Sequence, residues 1–340
     1  MTNPVLVEVT RGGLVESAHR GAIAIVDASG TVHSSIGDIE RAIFPRSAVK
    51  MLQALPLVET GAAEALDFTP EELALACSSH NGEEVHVNTA RVMLIKAGLD
   101  EEALECGAQW PALDADRAAL ICNDESPCAL HNNCSGKHAG FLGLARVMGV
   151  PTKGYVEPDH PVQQEIRAVM EAMTGASLVA DKCGIDGCSI PTWATPLSGL
   201  ARAFACLGTG EGLEPNRGLA AATLYDACTC HPHMVAGTGR FCTDVIAGFS
   251  QRVYVKTGAE GVFCASIPEL GLGVALKCDD GTTRASEAMM AGVISALMLA
   301  DEDEAGVLAR FDHAPVKTRR GVSVGEIRTV PELHKAIAAS

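Results

Sequence analysis

Three short motifs follow one another along the chain: Ser47-Ala48-Val49-Lys50, Ser79-His80-Asn81 and Lys256-Thr257-Gly258. A serine followed three residues later by a lysine, a second serine on a loop and a lysine on a late strand are the parts of a serine-lysine acyl-transfer site. In such a site a lysine amine accepts the proton of a serine hydroxyl, and the serine attacks a carbonyl carbon. One motif alone would be weak evidence, so the prediction depends on the elements that position all three.

Ser47 begins a predicted buried helix whose apolar face ends near Pro56. Residues three apart share one helical face, so the amine of Lys50 can reach the Ser47 hydroxyl. An exposed lysine has a pKa of about 10.4, and lowering that pKa to near neutrality costs about 4 kcal/mol. Burial, the helix N-terminus and a second lysine, for which Lys256 is the candidate, act in that direction. Taken alone, a helix-capping serine and a surface lysine would be the simpler interpretation.

The other two motifs are predicted to line a cleft. Ser79 lies in a polar run directly after a capped helix, and a loop there could project several side chains. Lys256 ends a predicted strand that would form one wall, although an edge-strand lysine and an ordinary loop serine are the plainer alternatives. Backbone N–H groups of Ser47 and Ala259 are the natural donors to the carbonyl oxygen, where negative charge develops during acyl transfer.

Two further stretches, 132–140 and 183–191, have the composition of tight functional loops. Cys134 and Cys188 could hold a zinc ion if these loops meet, but the spacing does not require it, and buried structural thiols are the commoner role. The stretch 228–233 mixes cysteine and histidine, yet its Cys-x-Cys spacing is not the usual zinc pair, so we interpret it as a helix end and loop. In the Gly-rich turn that follows, Arg240 could face an anionic substrate. A phosphate loop is the competing idea for this turn, but the P-loop lysine is missing.

The apolar pattern predicts the elements that carry these residues. Strand-like alternation occurs at both ends of the chain, and helical periodicity occurs between them. We therefore predict an α+β fold (α/β in the broad sense), with an antiparallel sheet from both chain ends flanked by helices and a helical insertion. The chain 1–340 would be one catalytic unit, with a sheet lobe of about 1–60 and 250–340, a mainly helical lobe of about 61–249, and a cleft along their junction. Predicted strands cover 5–9, 14–18, 22–26, 31–35, 252–256, 262–267 and 273–278, and predicted helices cover 69–76, 84–97, 159–173, 197–207, 217–229 and 284–299.

Composition excludes several classes of partner. The 340 residues are 47% hydrophobic and 20% charged, enough to bury a large core, and a formal charge of −16 opposes binding to nucleic acid or to an anionic membrane. The N-terminus lacks a basic region before an apolar stretch, and the longest apolar segment, 288–300, is too short to cross a bilayer. The 13 cysteines are an odd number without the spacing of a secreted scaffold, which indicates reduced thiols. These features predict a soluble cytoplasmic protein.

Six blocks of the sequence are longer and more specific than the three short motifs. They are Pro45-Arg46-Ser47-Ala48-Val49-Lys50, Ser78-Ser79-His80-Asn81-Gly82-Glu83, Asn133-Cys134-Ser135-Gly136-Lys137-His138, Cys183-Gly184-Ile185-Asp186-Gly187-Cys188, Gly237-Thr238-Gly239-Arg240-Phe241-Cys242 and Val255-Lys256-Thr257-Gly258-Ala259-Glu260-Gly261. Together these blocks resemble the rhizobial-type, or class 3, L-asparaginase family, and the resemblance covers nearly the whole chain. It implies a serine β-lactamase, penicillin-binding-protein and glutaminase-like fold, a homodimer, and hydrolysis of L-asparagine to L-aspartate and ammonia.

Carried onto this sequence, the resemblance implies two serine-lysine tandems and one supporting zinc site per chain. A lysine ligand must lose its proton before its nitrogen can bind zinc. Ser47 is the favoured nucleophile, because it matches the helix-start serine of the wider fold, and Ser79 stays possible. The tandems are Ser47 with Lys50 and Ser79 with Lys256; the zinc ligands are Cys134, Lys137 and Cys188; the substrate contacts are Asp186 for the ammonium group, Arg46 or Arg240 for the carboxylate, and His80, Asn133, His138 and Ala259.

Two alternatives use the same residues. A β-lactam hydrolase or D-alanyl peptidase shares the three motifs, but such enzymes usually act outside the cytoplasmic membrane. A zinc-dependent amino-acid-binding protein without turnover would keep the pocket, although lysines in both tandems weigh against it.

Overall fold

The computed structural model describes residues 2–297 and 300–338. Contacts within the chain divide it into two compact units, which we name the sheet unit and the helical unit. The sheet unit comprises Met1–Ala48, Thr195–Gly212 and Asp244–Ser340, and the helical unit comprises Val49–Ala194 and Leu213–Thr243. The division differs from the predicted lobes at two places, because the chain leaves the sheet unit after Ala48 and not near residue 60, and because 195–212 belongs to the sheet unit.

The strands form one large sheet and one short hairpin. In the large sheet the order is β6-β7-β8-β2-β1-β10-β9, with β3 also paired to β2, while β4 pairs with β5 in the helical unit. Every strand pairing in the described residues is antiparallel. The strands are β1 (Val5–Arg11), β2 (Leu14–Asp27), β3 (Val32–Ile36), β4 (Cys183–Ile185), β5 (Pro191–Trp193), β6 (Tyr254–Gly258), β7 (Val262–Ile267), β8 (Leu272–Cys278), β9 (His313–Lys317) and β10 (Ser323–Thr329).

The helices occupy most of the chain between β3 and β6. Short 3-10 turns at Arg46–Val49, Glu101–Ala103, Ala129–His131, Ala180–Lys182 and Pro268–Leu270 supplement them. The α-helices are α1 (Lys50–Glu59), α2 (Ala62–Ala65), α3 (Pro70–Ala76), α4 (Glu84–Lys96), α5 (Asp114–Cys122), α6 (Ser135–Met148), α7 (Pro161–Thr174), α8 (Leu197–Thr209), α9 (Pro215–Cys230), α10 (Pro232–Val235), α11 (Phe241–Gly248), α12 (Thr283–Leu297), α13 (Glu302–Asp312) and α14 (Pro331–Ala338).

The sheet confirms the predicted α+β class with strands from both chain ends. The second half of β2, residues 22–26, is buried at every position, so both faces of the sheet are covered there. Helix α8 packs against β2, β7 and β8. Gly273 allows this close approach, because a Cβ at that position would lie 1.9 Å from the carbonyl oxygen of Ala201 in α8. The two strands predicted at 14–18 and 22–26 are one continuous strand, β2.

The helical unit is built around α1, which packs against α6, α7 and α9. The apolar face was predicted to end near Pro56; the buried residues of α1 end at Leu57, and the helix itself continues through Pro56 to Glu59. Residues 50–57 are all buried, and tertiary packing on every side outweighs the loss of one backbone hydrogen bond at the proline. Ser47 itself lies in the 3-10 turn that precedes α1.

Two other predictions about helices have different outcomes. The capping box of α3 is confirmed, with Thr69 N–H donating to the Glu72 carboxylate at 2.7 Å. The loop predicted at 132–140 is wrong from Ser135 onward, where α6 begins. Gly136 faces α3 so closely that a Cβ would lie 2.5 Å from the Leu75 carbonyl oxygen, which explains a glycine inside this helix. The predicted end of the late helix at Leu299 lies outside the described residues.

Candidate active site

Lys50 is the first residue of α1 and is almost completely buried, with 1% of its surface exposed. Its ammonium group donates to the carbonyl oxygen of Ser78 and to the sulfur of Cys134, the latter at 3.1 Å. Burial lowers the pKa of Lys50, and the charge of Lys137 lowers it further, against the opposing effect of Cys134. The amine therefore loses its proton more easily than an exposed lysine does.

Ser47 is held by a tight turn in the sheet unit. The N–H of Ala48 donates to the carbonyl oxygen of Pro45 at 3.1 Å, and Arg46 between them has a positive φ of 52°. Strand β6 lies directly against this turn, because a Cβ on Gly258 would be 2.6 Å from the Pro45 oxygen and 3.1 Å from the Ala48 nitrogen. The Lys-Thr-Gly strand and the serine turn are thus in contact, as the acyl-transfer motif requires.

Lys256 and Ala259 come from the same strand. Lys256 is fully buried in the middle of β6, where its Nζ donates to the carbonyl oxygen of Thr257 at 3.0 Å. Ala259 is exposed just after the strand ends at Gly258. The prediction that Lys256 ends the strand is off by two residues, because pairing with β7 continues through Gly258.

Ser79 and His80 lie on the loop between α3 and α4 in the helical unit, and both are buried. The Ser79 N–H donates to the Val235 carbonyl oxygen at 3.0 Å, and the His80 N–H donates to the Asn133 carbonyl oxygen at 3.1 Å. The His80 ring accepts at Nδ1 from the Gly82 N–H and lies 3.0 Å from the Ser135 hydroxyl through Nε2. The Ser79 loop is therefore fixed against the loop that carries Asn133.

Cys134, Lys137 and Cys188, the three predicted zinc ligands, are buried and in mutual contact. Lys137 Nζ donates to the Cys188 sulfur at 3.0 Å, and the Cys134 thiol donates to the side-chain oxygen of Asn133 at 3.1 Å. The two cysteine sulfurs also form a hydrogen bond with each other. This hydrogen bond and the charges of Lys137 and Lys50 hold the pKa of Cys134 well below its usual range, whereas the same contact and burial raise the pKa of Cys188.

The donor set of this cluster fits a zinc ion. The two cysteine sulfurs are ligands that zinc prefers, whereas a lysine nitrogen is an unusual one, and three protein ligands leave a fourth position for water or substrate. Binding would release the thiol protons and one proton of the Lys137 amine, which the metal must displace. Burial lowers the pKa of Lys137, but Cys134, Cys188 and then Asp186, on the loop between β4 and β5, outweigh it and raise this pKa above its usual value. The predicted ammonium-binding carboxylate is thus close to the cysteine cluster.

Arg240 is joined to the Ser79 loop through one asparagine. Its Nη1 donates to Oδ1 of Asn81 at 3.0 Å, and the Asn81 amide donates to the Thr238 carbonyl oxygen at 3.0 Å. The carboxylate of Glu83 accepts from the Asn81 amide at 3.1 Å and from the N–H and hydroxyl of Thr238, both at 2.8 Å. We call Asn81, Glu83, Thr238 and Arg240 the Glu83 clamp.

His138, the remaining predicted substrate contact, is fully buried on α6. Burial, followed by the charges of Lys137 and Lys50, holds the pKa of His138 well below its usual range. Its Nδ1 lies 2.7 Å from the Tyr155 hydroxyl.

The stretch 228–233 contains the predicted helix end, since α9 ends at Cys230, but the loop predicted after it is wrong, because Pro232 begins the short helix α10. His233 lies near Glu83 and His86, and its ring stacks on that of His86 at 5.2 Å between centroids and 14° between planes. The side chains of Glu83, His86 and His233 offer ligand atoms that lie within 4.8 Å of one another.

The structure brings many of the predicted residues together within one unit, but not all. The two tandem pairs each take one residue from the sheet unit and one from the helical unit, so the pairings of Ser47 with Lys50 and of Ser79 with Lys256 stay predictions. In the sheet unit lie Arg46, Ser47, Lys256 and Ala259; in the helical unit lie Lys50, Ser79, His80, Asn133, Cys134, Lys137, His138, Asp186, Cys188 and Arg240.

Sequence reasoning missed Glu83, Ser78 and Tyr155. Glu83 is the last residue of the block that begins at Ser78, and an acidic side chain two residues after Asn81 was the signal that could have indicated its role. Ser78 acts through its carbonyl oxygen, which no side-chain pattern reveals. Tyr155 lies 17 positions after His138, and no local pattern links the two.

Comparison with known proteins identifies the family. The chain matches the model of the L-asparaginase II family over residues 7–329 and therefore belongs to that family. No curated protein sequence matches the chain. None of the described helices is long and apolar enough to cross a membrane.

Solved structures give distant likenesses. A β-lactamase from Mycobacterium bovis is 13% identical with a TM-score of 0.40, covering 86% of this chain and 94% of that one. A mutant of the simvastatin synthase LovD from Aspergillus terreus is 11% identical with a TM-score of 0.39, covering 76% and 86%. Native Mglu in 4.3 M NaCl is 15% identical with a TM-score of 0.35; the match covers 82% of this chain and 60% of the length of Mglu. The family match, and not these likenesses, carries the assignment.

Proposed function

We propose that this protein is an L-asparaginase that hydrolyses L-asparagine to L-aspartate and ammonia through a serine-lysine acyl-enzyme mechanism. The observation that carries the proposal is the family match over residues 7–329. The burial of Lys50 and Lys256 supports it, because lysines are rarely buried unless they have a specific role.

The proposed reaction begins with Ser47 attacking the side-chain amide carbon of asparagine while Lys50 accepts the hydroxyl proton. Backbone N–H groups of Ser47 and Ala259 stabilise the negative oxygen, and losing such a donor typically costs about 2.7 to 4 kcal/mol of transition-state stabilisation. Ammonia leaves with a proton returned by the lysine. Water, deprotonated by the same lysine, then attacks the ester and releases aspartate. The tandem of Ser79 and Lys256 relays protons.

Substrate binding uses the charges around this centre. Asp186 is proposed to bind the ammonium group, and Arg240, held by the Glu83 clamp, to bind the carboxylate. Arg46 is the alternative partner of the carboxylate. Asn133 and His80 support the same pocket.

Zinc is proposed as a supporting ion held by Cys134, Lys137 and Cys188. When bound, it would supply a fixed positive charge and a Lewis-acid position that favours substrate binding. Its ligands are in contact with Lys50, so loading the ion also fixes the surroundings of that amine.

Ammonia release from asparagine, glutamine and a chromogenic β-lactam, measured with and without a chelator, tests the proposal. Asparagine turnover supports it; turnover of the β-lactam alone, or binding of asparagine without turnover, refutes it.

Ser47→Ala and Lys50→Met should each lower asparagine turnover by at least about 100-fold, whereas Lys153→Met, at an exposed position, should leave it unchanged. Peptide mass analysis of a trapped acyl-enzyme should find the aspartyl group on Ser47; a label on Ser79 would reverse the tandem roles, and a label on neither would refute covalent catalysis.

The proposed homodimer and cytoplasmic location stay predictions. Light scattering of the purified protein would test the first.

A further inference from the structure

His138 and Tyr155 form a buried polar pair in the helical unit. Both residues have 0% of their surface exposed. The Tyr155 hydroxyl lies 2.7 Å from Nδ1 of His138, and the rings meet edge to face with centroids 5.5 Å apart. Water cannot exchange into this contact, so the protein alone decides which group donates.

The direction of the hydrogen bond follows from a third group. The backbone N–H of Glu105 donates to the Tyr155 hydroxyl oxygen at 3.0 Å. The hydroxyl accepts there, and its own proton is directed to Nδ1 of His138. If Nδ1 instead carried a proton, the hydroxyl would accept twice and its hydrogen would lack an acceptor in this pair. A neutral imidazole that accepts at Nδ1 carries its proton on Nε2.

The proton-bearing Nε2 of His138 is buried and has no hydrogen-bond partner among the residues that the structure describes. A buried donor without an acceptor is unfavourable, and each such group in a native protein calls for an explanation. His138 stands on the first turn of α6, where its N–H donates to the Cys134 carbonyl oxygen at 3.0 Å. The unpaired N–H group therefore belongs to the same helix start as the cysteine cluster.

Tyr155 is itself held firmly. Gln163 donates to its carbonyl oxygen at 2.9 Å, and the N–H of the preceding Gly154 donates to the Glu105 carboxylate at 2.9 Å. Asn132 donates to the carbonyl oxygen of Cys106 at 2.9 Å, which ties the Glu105 segment to the loop before α6. Such a support fixes the hydroxyl before any ligand arrives.

We propose that Tyr155 is a positioning residue that locks His138 in the Nε2–H tautomer, so that this N–H donates to an oxygen atom of the bound amino-acid substrate. The identity of the substrate rests on the proposed function, whereas the tautomer does not. No proton is transferred in this role; the N–H serves as a fixed donor.

The tautomer is tested first, without any activity. In protein labelled with ¹⁵N-histidine, long-range proton-nitrogen spectra distinguish the two neutral tautomers, and His138→Gln assigns the signal. Wild type should show the Nε2–H form. Tyr155→Phe keeps the ring but removes the donor, so the pure Nε2–H signature should be lost, while Tyr225→Phe, at a buried tyrosine of α9, should preserve it. A wild-type Nδ1–H form, or an unchanged signal in Tyr155→Phe, overturns the proposal.

Kinetics test the role of the donor. Tyr155→Phe should raise KM for asparagine by about tenfold, the equivalent of one lost hydrogen bond, with kcat changed by less than about twofold because the contact is made in the ground state. In His138→Gln the side-chain amide offers an N–H near the position of Nε2, and an amide does not have the two neutral tautomers of an imidazole. In the His138→Gln background Tyr155→Phe should therefore change KM by less than about twofold. The full tenfold loss in that background, or a fall in kcat at constant KM, refutes the assignment.

Failure of the proposed function would be distinguishable. If wild type does not hydrolyse asparagine, the spectra still decide the tautomer, and calorimetric binding of L-aspartate replaces KM in the same set of variants. About tenfold weaker binding in Tyr155→Phe supports the proposal, and equal binding overturns it.

Discussion

Replacing Glu83 by glutamine isolates the electrostatic part of the Glu83 clamp. The carboxylate is 15% exposed and accepts three hydrogen bonds, from the Asn81 amide and from the N–H and hydroxyl of Thr238. Glutamine has nearly the same shape but offers one acceptor oxygen and no charge. The variant should therefore fold, with a weaker attachment of the Ser79 loop to the segment that carries Arg240.

The expected loss follows from the three bonds. A hydrogen bond to a charged group contributes about 1.5 to 3 kcal/mol, against about 0.5 to 1.5 for a neutral one. Neutralising Glu83 should thus lower the free energy of unfolding by about 3 kcal/mol at pH 7. Glu84→Gln, at the adjacent exposed carboxylate, should change it by less than about 0.5 kcal/mol. Since Asn81 also holds Arg240, Glu83→Gln should raise KM for asparagine as well.

The effect depends on pH with a definite sign. Burial opposes ionisation of Glu83, but the hydrogen bonds from Thr238 and Asn81 outweigh it and hold the pKa of this carboxyl below its usual range. The ionised form therefore stabilises the fold fully above the unfolded-state pKa of about 4.3, and the contribution is lost as the pH falls through the lower folded-state value. The difference between wild type and Glu83→Gln should shrink below about pH 4.3.

Urea unfolding of wild type, Glu83→Gln and Glu84→Gln from pH 7 down to the lowest pH at which wild type stays folded measures these differences. Equal slopes against urea confirm that the variants share one denatured state. Equal losses for the two glutamine variants at pH 7, or a Glu83 difference that does not shrink below about pH 4.3, would contradict the reasoning. Protonation of His233, whose Nε2 lies 3.3 Å from the Glu83 carboxylate, would strengthen the wild-type contact above that pH.

Three further changes test the clamp, the cysteine cluster and the base. Gly237→Ala should cost more than about 2 kcal/mol of stability, because φ is +108° and a Cβ would lie 2.4 Å from the clamp carboxylate, whereas Gly239→Ala, with φ +71° and open space, should cost about 1 kcal/mol. Cys188→Ser should lose the zinc that wild type is expected to hold at about one ion per chain by elemental analysis, while Cys206→Ser should retain it; equal metal content in both refutes the site. Lys50→Met should keep bound zinc at the wild-type level while abolishing ammonia release; loss of the metal would show that Lys50 supports the cluster and not only the reaction.

The elements that could be predicted from the sequence are those in which apolar residues recur with the period of a strand or a helix. The mainly apolar runs of β7 and β8 and the Thr-Pro-Glu-Glu start of α3 predicted their elements closely. β9 and β10 were not predicted, because their residues are mostly half-exposed and the apolar alternation is weak. The start of α6 has the composition of a loop, because Gly136 and Gly140 serve close packing against α3, and local propensity does not reveal packing of that kind.

For the site, the sequence indicated residue types but not partners. Lys50 was predicted to be buried, and it is, yet its contacts with Ser78 and Cys134 depend on loops 28 and 84 residues away. Cys134 and Cys188 were left open as ligands on spacing alone, and the fold brings them together with Lys137. The same limit hid Tyr155, since its relation to His138 arises from the return of the chain after α6.

The pairing of β1 with β10 has a consequence for biosynthesis. Val7 lies opposite Thr329, and Ile23 of β2 lies opposite Leu276 of β8, so the first hairpin to leave the ribosome finds these neighbours only after most of the chain has been translated. Until then its apolar strands offer unsatisfied edges to other nascent chains. Slow translation or a shortage of chaperones should consequently favour inclusion bodies. A circular permutation that places the β1–β2 hairpin after β10 in the chain should improve the soluble yield.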